Sequence, residues 1–270
     1  MSLPKQENTS FPTSLLVLVV ALAVSSAPAI GGELYVGVSA AADRLSVGYQ
    51  KIVDNTNPQN FSLNQGQTFR DAASGAGFGH SYGFLGGYRM PLSVTGIYVA
   101  VEGEMLRHGG AASGRLAGVG TSDGRNQLGE VWPENWSVGQ DRSYGVTARL
   151  GAGIPFFGTW FGPSIYALVG LRRLNATFKS GFTGCFEATP CTSPNQLVAG
   201  SEDFSESSRG LVFGGGLEKR FGSLALRGEV RVTDFSAAER ISRFEDVFVT
   251  VPITLQPDSI SLGASLVWYF

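Results

Sequence analysis

Few residues in this 270-residue chain are of the types that bind metals or carry out nucleophilic catalysis. The two histidines, His80 and His108, lie far in sequence from the two cysteines, Cys185 and Cys191. A metal site needs more ligands than these four scattered residues supply, so we predict no metal and no cofactor. His80 and Ser81 are adjacent, and adjacent side chains on a strand point to opposite faces, so they cannot form a base and nucleophile pair. The sequence therefore predicts that the protein is not an enzyme.

The two cysteines enclose the short segment Phe-Glu-Ala-Thr-Pro within a polar stretch. The N-terminal residues described below indicate export, and exported proteins keep their cysteines oxidised. We therefore predict a disulfide between Cys185 and Cys191 that closes a small loop.

Charged residues recur at every second position within several otherwise apolar segments. These polar faces together carry four glutamates and four arginines, namely Glu102, Glu104, Arg149, Arg172, Glu218, Arg227, Glu229 and Arg231. An arginine facing lipid at the middle of a bilayer would cost roughly 2–4 kcal/mol, so in a membrane these side chains must point inwards. The balance of signs predicts an interior charge network. The alternative is that some of the eight lie near strand ends and meet solvent.

The period-two alternation of apolar and polar residues predicts eight strands. They fall at about residues 34–41, 79–90, 97–108, 144–153, 160–172, 210–221, 224–233 and 259–270. Four long polar connections, 43–78, 109–143, 173–208 and 235–257, alternate with three short ones. This arrangement is typical of a membrane barrel with long loops outside the cell and short turns inside. The fold class predicted is all-β, an eight-stranded antiparallel up-and-down transmembrane β-barrel, whose interior is just wide enough to be filled by side chains.

The N-terminal residues predict export. Lys5, the apolar run 15–24 and the small residues ending at Ala29 fit the three parts of a secretory signal, so we predict a signal peptide over 1–29 and a barrel domain over 30–270. The rest of the chain has no apolar stretch able to cross a bilayer as a helix, so a membrane protein must here be a closed barrel. A net charge of -2 and a pI near 5.8 argue against a nucleic-acid partner.

The last twelve residues, 259–270, carry a second signal. Hydrophobic residues at the third, fifth, seventh and ninth places from an aromatic C-terminal residue resemble the assembly signal of bacterial outer-membrane barrels. Those places are filled by Leu262, Ala264, Leu266, Trp268 and Phe270.

Several motifs, taken in order, resemble the eight-stranded OmpA-like outer-membrane β-barrel domain, within the wider porin family. They are Val-Ala-Val-Glu-Gly-Glu (99–104), Gly-Gly-Gly-Leu-Glu (214–218), Leu-Arg-Gly-Glu-Val-Arg-Val-Thr-Asp-Phe (226–235) and the aromatic terminus. The resemblance covers essentially the whole exported chain, and no peptidoglycan-binding domain is expected after Phe270. It implies a surface antigen, an adhesin, an envelope-integrity protein or a small porin.

We therefore expect a bacterial outer-membrane protein with a structural or surface-interaction role. A small diffusion porin is the alternative, and a soluble lipocalin-like ligand-binding barrel, with its apolar face turned inwards, is a third. The expected partners are outer-membrane lipid and lipopolysaccharide, the barrel-assembly machinery, and a host or surface ligand bound by the long loops. We expect a monomer located in the cell outer membrane.

Overall fold

Strands make up most of the chain that the computed structural model describes, which is residues 31–60, 65–92, 96–118, 133–154, 162–185, 192–245 and 248–270. The strands are β1 (Glu33–Asp54), β2 (Thr68–Pro91), β3 (Ile97–Leu116), β4 (Glu134–Gly153), β5 (Ser164–Cys185), β6 (Leu197–Phe221), β7 (Leu224–Phe235), β8 (Ala238–Phe244) and β9 (Val249–Tyr269), with a short 3-10 helix at Pro194–Gln196. No helix in these ranges is long and apolar enough to cross a membrane. The signal peptide proposed for residues 1–29 lies outside the described residues.

The strands close into a ring. Each of β1 to β6 pairs antiparallel with the strand that follows it, β7 pairs with β9, and β9 pairs with β1. The pairing of β1 with β9 runs from Tyr35 opposite Tyr269 to Asp54 opposite Thr250, so it extends along the whole of both strands. The prediction of an all-β, eight-stranded, antiparallel up-and-down barrel is confirmed.

The seventh position of the ring is filled by two strands in succession. β7 pairs with the C-terminal half of β9 and β8 with its N-terminal half. On its other side β7 pairs with β6 as far as Gly210, and no backbone pairing joins β6 to β8 among the described residues. A seam therefore runs between β6 and β8. Arg240 and Glu206 face each other across it, with a nitrogen–oxygen distance of 3.4 Å.

The predicted strand lengths were wrong. The predicted long loops 43–78, 109–143, 173–208 and 235–257 are largely strand, because β1 to β6 run for 20 to 25 residues and β9 for 21. Trp136, for instance, lies in β4 with its side chain buried, where a loop was predicted. Backbone pairing continues for about ten residues past the end of most predicted strands, so the barrel is about twice as tall as a bilayer crossing requires.

One polar residue per ring position marks the middle of the barrel wall. These outward-facing residues, here called the rim, are Arg44, His80, Arg107, Arg142, Arg173, Arg209, Asp234 and Asp258. Each lies about ten residues along its strand from the nearest short turn, which is the length of a tilted strand that crosses a bilayer. The rim divides the barrel into a lower half, on the side of the short turns and the C-terminus, and an upper half, here called the extension.

The polarity of the wall reverses at the rim. In β9 the outward residues of the lower half are apolar, such as Leu262, which is 64% exposed, while the inward residues next to the rim are serines and glycine (259–265). In the extension part of β9 the inward residues are apolar, such as Ile253, which is 1% exposed, and the outward ones include Thr254 and Gln256. β1 repeats this pattern, with Val36 and Val38 outward below the rim and Leu45 and Val47 inward above it.

The lower half is apolar on the outside. Its exposed hydrophobic side chains come from every ring position and include Val36, Phe84, Val101, Leu150, Val169, Phe213, Val230 and Leu266. Inside, ten buried residues form the lower apolar cluster, Tyr35, Leu85, Tyr98, Ala100, Tyr166, Leu168, Val212, Ala225, Val267 and Tyr269.

The extension has a hydrophobic core of its own. This upper apolar cluster is Leu45, Val47, Tyr49, Ala112, Leu116, Trp136, Val138, Phe178, Phe204, Val251, Ile253 and Leu255. The Phe178 and Phe204 rings stack with their centroids 4.7 Å apart, and Tyr49 contacts Phe178 at 5.2 Å. The extension therefore excludes water from its interior like a soluble domain.

Glycines on neighbouring strands make room for the interior aromatic rings. A Cβ added at Gly151 would lie 2.3 Å from the Tyr98 ring, and one at Gly216 would lie 2.6 Å from the Tyr166 hydroxyl. Gly151 stands directly opposite Tyr98, and Gly216 stands directly opposite Tyr166. Part of the chain's high glycine content, 37 residues, thus follows from fitting rings inside a narrow barrel.

We expect Gly151→Val to lower the free energy of unfolding by about 1–3 kcal/mol, because it forces volume into a packed interior. Gly228→Val is the matched control, since nothing lies within 4 Å of a Cβ at Gly228, which faces outwards. Urea unfolding of both variants in one detergent, followed by the loss of the compact gel band, measures the difference. Equal midpoints would contradict the tight packing around Tyr98.

Candidate functional site

The eight charged residues predicted to line the interior come together inside the lower half. β3 contributes Glu102 and Glu104, while β7 contributes three, Arg227, Glu229 and Arg231. The other three are Arg149 from β4, Arg172 from β5 and Glu218 from β6. All face inwards because they occupy the positions that alternate with the outward apolar residues.

Ion pairs join these side chains into one continuous chain. The order of contact is Arg172, Glu104, Arg231, Glu229, Arg149, Glu102, Arg227 and Glu218, with Arg89 of β2 bound to the far side of Glu218. Arg172 Nη2 lies 2.6 Å from Glu104 Oε1, and Arg227 Nη1 lies 2.6 Å from Glu102 Oε2. Each carboxylate of the chain is held by at least two arginines, so signs alternate throughout. We call this set of nine residues the interior charge network.

The network spans the lumen from wall to wall. β3 and β7 occupy opposite sides of the eight-membered ring, and Arg227 reaches across it to Glu102 as Arg231 does to Glu104. Glu102 is fully buried and Arg227 is 3% exposed. Side chains that meet at the centre of the lumen leave little room for solutes to pass.

Tyrosines of the lower apolar cluster hold the network from below. The Tyr269 hydroxyl donates to Glu218 at 2.9 Å and accepts from Arg227 at 2.9 Å, and the Tyr166 hydroxyl donates to Glu229 at 2.8 Å. The guanidinium groups of Arg227 and Arg149 lie over the rings of Tyr35 and Tyr166, at 4.7 and 4.9 Å from the centroids. These contacts satisfy charges that water would otherwise have to solvate.

The sequence did not point to Arg89 or to the tyrosines. Arg89 binds Glu218 at 2.8 Å and stacks over the Tyr98 ring, 3.6 Å from its centroid. Inward aromatic residues at alternate positions near the short turns were the available signal for Tyr98, Tyr166 and Tyr269. That signal is weak, because aromatic residues at this end of a membrane barrel usually lie on its outer surface.

A second polar group lies inside the barrel at the level of the rim. His108 Nδ1 lies 3.3 Å from an Asp43 carboxylate oxygen, and His108 Nε2 lies 2.8 Å from Ser143 Oγ. This order of groups matches the acid, base and nucleophile of serine hydrolases. A nucleophile must also meet substrate, however, and the Ser143 side chain is fully buried. The group therefore works as a polar layer between the interior charge network and the upper apolar cluster.

No local sequence pattern predicts the polar layer formed by Asp43, His108 and Ser143, because these residues come from three different strands, β1, β3 and β4. Each is next in sequence to a rim arginine, Arg44, Arg107 or Arg142. Because side chains alternate along a strand, all three point inwards at the level of the rim. The prediction that the chain is not an enzyme stays a prediction. Among the described residues no cluster of three His, Cys, Asp or Glu side chains is placed to hold a metal ion.

A buried ion pair lies among the described residues of the extension. Glu134 is 2% exposed, accepts a hydrogen bond of 2.9 Å from the Tyr49 hydroxyl and pairs with Lys51. Burial, and then the nearby Glu134 carboxylate, raise the pKa of Tyr49 well above its ordinary value, which keeps the hydroxyl protonated as the donor. Near the seam, the Arg240 guanidinium lies 4.4 Å from the centroid of the Phe204 ring.

The remaining predicted site residues lie elsewhere. Leu262, Ala264, Leu266, Trp268 and Phe270 form the exposed outward row of the last strand and its final residue, and the Phe270 N–H donates to the Leu34 carbonyl at 2.9 Å. The role of this row in assembly stays a prediction. The predicted disulfide cannot be placed, because Cys191 and the Cys185 side chain lie outside the described residues.

The chain resembles several solved bacterial proteins at low identity. Ail, the attachment invasion locus protein of Yersinia pestis, solved with the heparin analogue sucrose octasulfate, is 15% identical over 84% of this chain and 99% of its own, with a TM-score of 0.30. Neisserial surface protein A is 12% identical over 89% and 99%, with a TM-score of 0.26. The translocator domain of the autotransporter NalP from Neisseria meningitidis is 12% identical over 94% and 95%, with a TM-score of 0.28.

At TM-scores of this size, these likenesses neither place the chain in a family nor assign it a function. No protein-family model matches the sequence, and the comparison with curated proteins gave no match. Membership of the OmpA-like group therefore stays a prediction.

We expect Arg227→Ala to lower the free energy of unfolding by about 3–5 kcal/mol, because it leaves Glu102 and Glu218 buried with less compensation. Lys179→Ala is the control, since Lys179 is 65% exposed and pairs with Asp203 in the extension. An exposed pair of this kind contributes about 0–1 kcal/mol. Urea unfolding in detergent compares the two variants. Losses of equal size would mean that water reaches the interior charge network.

Proposed function

We propose that this protein is a closed β-barrel of a bacterial outer membrane whose extension stands above the bilayer and serves a structural or surface-interaction role. The observation that carries this proposal is the reversal of polarity at the rim. Below the rim the wall is apolar outside and charged inside, and above it the wall is polar outside and apolar inside. Contact with hydrocarbon below the rim and with water above it explains why the apolar residues change from the outer to the inner face of the wall.

The apolar band has the height of a bilayer. Along β9 it runs from Ile260 to Trp268, and along β3 from Ile97 to Met105, with the rim above it and Lys219 of β6 near its lower edge. About nine to eleven residues of a tilted strand cross a membrane. A soluble barrel that binds a ligand would place this apolar face inside, so the lower half argues against the lipocalin-like alternative.

The extension supports a role at the surface. Its inner core, and the backbone pairing that joins all neighbouring strands except β6 and β8, hold the strand ends in place above the membrane. A rigid support of this kind suits a protein whose exposed connections contact a partner, because little order is lost on binding. We extend the proposal to an adhesin, antigen or envelope-integrity role for a monomeric barrel, inserted by the barrel-assembly machinery through its last strand.

The diffusion-pore alternative meets an obstruction at three levels. The lower apolar cluster, the interior charge network and the upper apolar cluster each fill the lumen with buried side chains. Opening a path would require all three layers to rearrange. The filled interior therefore favours a barrier over a channel.

Two lysines test the orientation. Lys179 lies in the extension with 65% of its side chain exposed, and Lys219 is exposed near the short turns. On intact cells, an amine-reactive reagent carried on a polymer too large to enter should label Lys179 but not Lys219, since only the extension faces outwards. Both should be labelled once the membrane is broken, which mass spectrometry of the peptides measures. Labelling of Lys219 on intact cells, or of neither lysine, would overturn the proposed placement.

We expect the purified parent protein to give little steady conductance in planar bilayers, because its lumen is filled. The matched positive control is a larger porin in the same bilayer. Large and stable conductance, with an ion selectivity that changes in Arg227→Ala while stability does not, would make the diffusion pore the better description.

A further inference from the structure

Arginines dominate one arc of the rim. On the consecutive strands β3, β4, β5 and β6 the rim residues are Arg107, Arg142, Arg173 and Arg209, and the opposite arc carries Asp234 and Asp258 on β7 and β9. These four arginines are called the arginine arc. Each is the first charged residue on the outer face above the apolar band, so all four lie where hydrocarbon gives way to the polar part of a bilayer.

The strand register places arginines of the arginine arc directly opposite each other on neighbouring strands. Arg107 stands directly opposite Arg142, and Arg173 directly opposite Arg209. Side chains opposite each other have Cβ atoms about 4.5–5.5 Å apart, and like charges in such pairs destabilise a sheet. Acidic neighbours could offset this cost, as they do in the interior charge network. Yet no carboxylate of the described residues lies within 4.0 Å of a nitrogen of Arg107, Arg142 or Arg209.

The arginine arc has the chemistry of a phosphate site. A guanidinium group binds phosphate oxygens through two parallel hydrogen bonds, and Arg keeps its charge under all conditions a cell offers. An anion held between two facing arginines converts their repulsion into attraction for a shared partner. The apolar band directly below supplies a surface along which acyl chains can pack.

We propose that the arginine arc binds the phosphate headgroups of anionic lipids in the leaflet that surrounds the rim, with their acyl chains lying against the apolar band beneath. This inference rests on the proposed membrane placement, because it requires the rim to lie at the headgroup level. The two aspartates confine the site to one side of the barrel, since a phosphate near Asp234 and Asp258 would be repelled. The barrel therefore carries a lipid of defined charge on β3 to β6.

The test measures lipid binding to the purified full-length barrel in a non-ionic detergent by native mass spectrometry. Phosphatidic acid provides a phosphate monoester headgroup, and phosphatidylcholine with the same acyl chains provides the neutral comparison. The variant is Arg107→Gln, Arg142→Gln and Arg209→Gln combined. Its matched control is Arg70→Gln, Arg115→Gln and Arg243→Gln combined, which removes three exposed arginines from the extension and the same total charge.

We expect the parent to prefer phosphatidic acid, and the rim variant to bind it about 100-fold more weakly, since each basic residue near an anionic headgroup contributes roughly a factor of five. The control variant should bind as the parent does. Equal binding of the two lipids, an unchanged affinity in the rim variant, or an equal loss in the control would overturn the proposal. Displacement of the lipid by the same concentration of inorganic phosphate would also overturn it, by showing a site for free anions.

The result is separate from that of the lysine labelling. Correct labelling of Lys179 with no lipid preference would leave the membrane placement standing and remove only the lipid site. A compact band on an unheated gel, present for both triple variants, shows that each has folded.

Discussion

A charge that faces hydrocarbon or a dry interior must be compensated by another charge, and this requirement shapes the lower half of the barrel. Burying a glutamate such as Glu102 is expensive, and its interaction with Arg149 and Arg227 offsets that cost only if geometry is good. The partners come from β3, β4 and β7, so the network forms only when the ring has closed. The ion pairs thus select for one closed arrangement of strands with one register, and the tyrosines and glycines around them fit that arrangement.

The reversal of polarity at the rim explains which parts of the fold could be predicted. Below the rim, Leu262, Leu266 and Trp268 alternate with small polar residues, and a period-two pattern with one apolar face predicts a strand. Above it, Val251, Ile253 and Leu255 alternate just as regularly, but on the other face. The change of phase near Pro257 and Asp258 and the many polar residues made this part resemble a loop. The phase of the alternation, and not only its presence, marks the upper parts of β1 and β9 as strand.

The candidate site could be predicted only in part, for a physical reason. Eight of the nine residues of the interior charge network are marked by their positions within alternating segments, so their inward direction follows from the sequence. Which arginine meets which glutamate depends on strand register and on the crossing of the lumen, as for Arg231 and Glu104. Arg89 and the group formed by Asp43, His108 and Ser143 gave no local signal, because each contact joins strands that only the closed ring brings together.

The seam between β6 and β8 gives the two halves of the barrel different mechanical properties. Below the rim an unbroken ladder of backbone hydrogen bonds fixes the circumference, because widening the ring by any amount would break a row of them. In the extension the same circuit is completed by side chains, among them Arg240 against Glu206 and the Phe204 ring. Separating these costs far less than unzipping two strands. The seam is therefore the line along which the extension opens at the lowest cost, and such an opening would leave the closed ring below the rim intact.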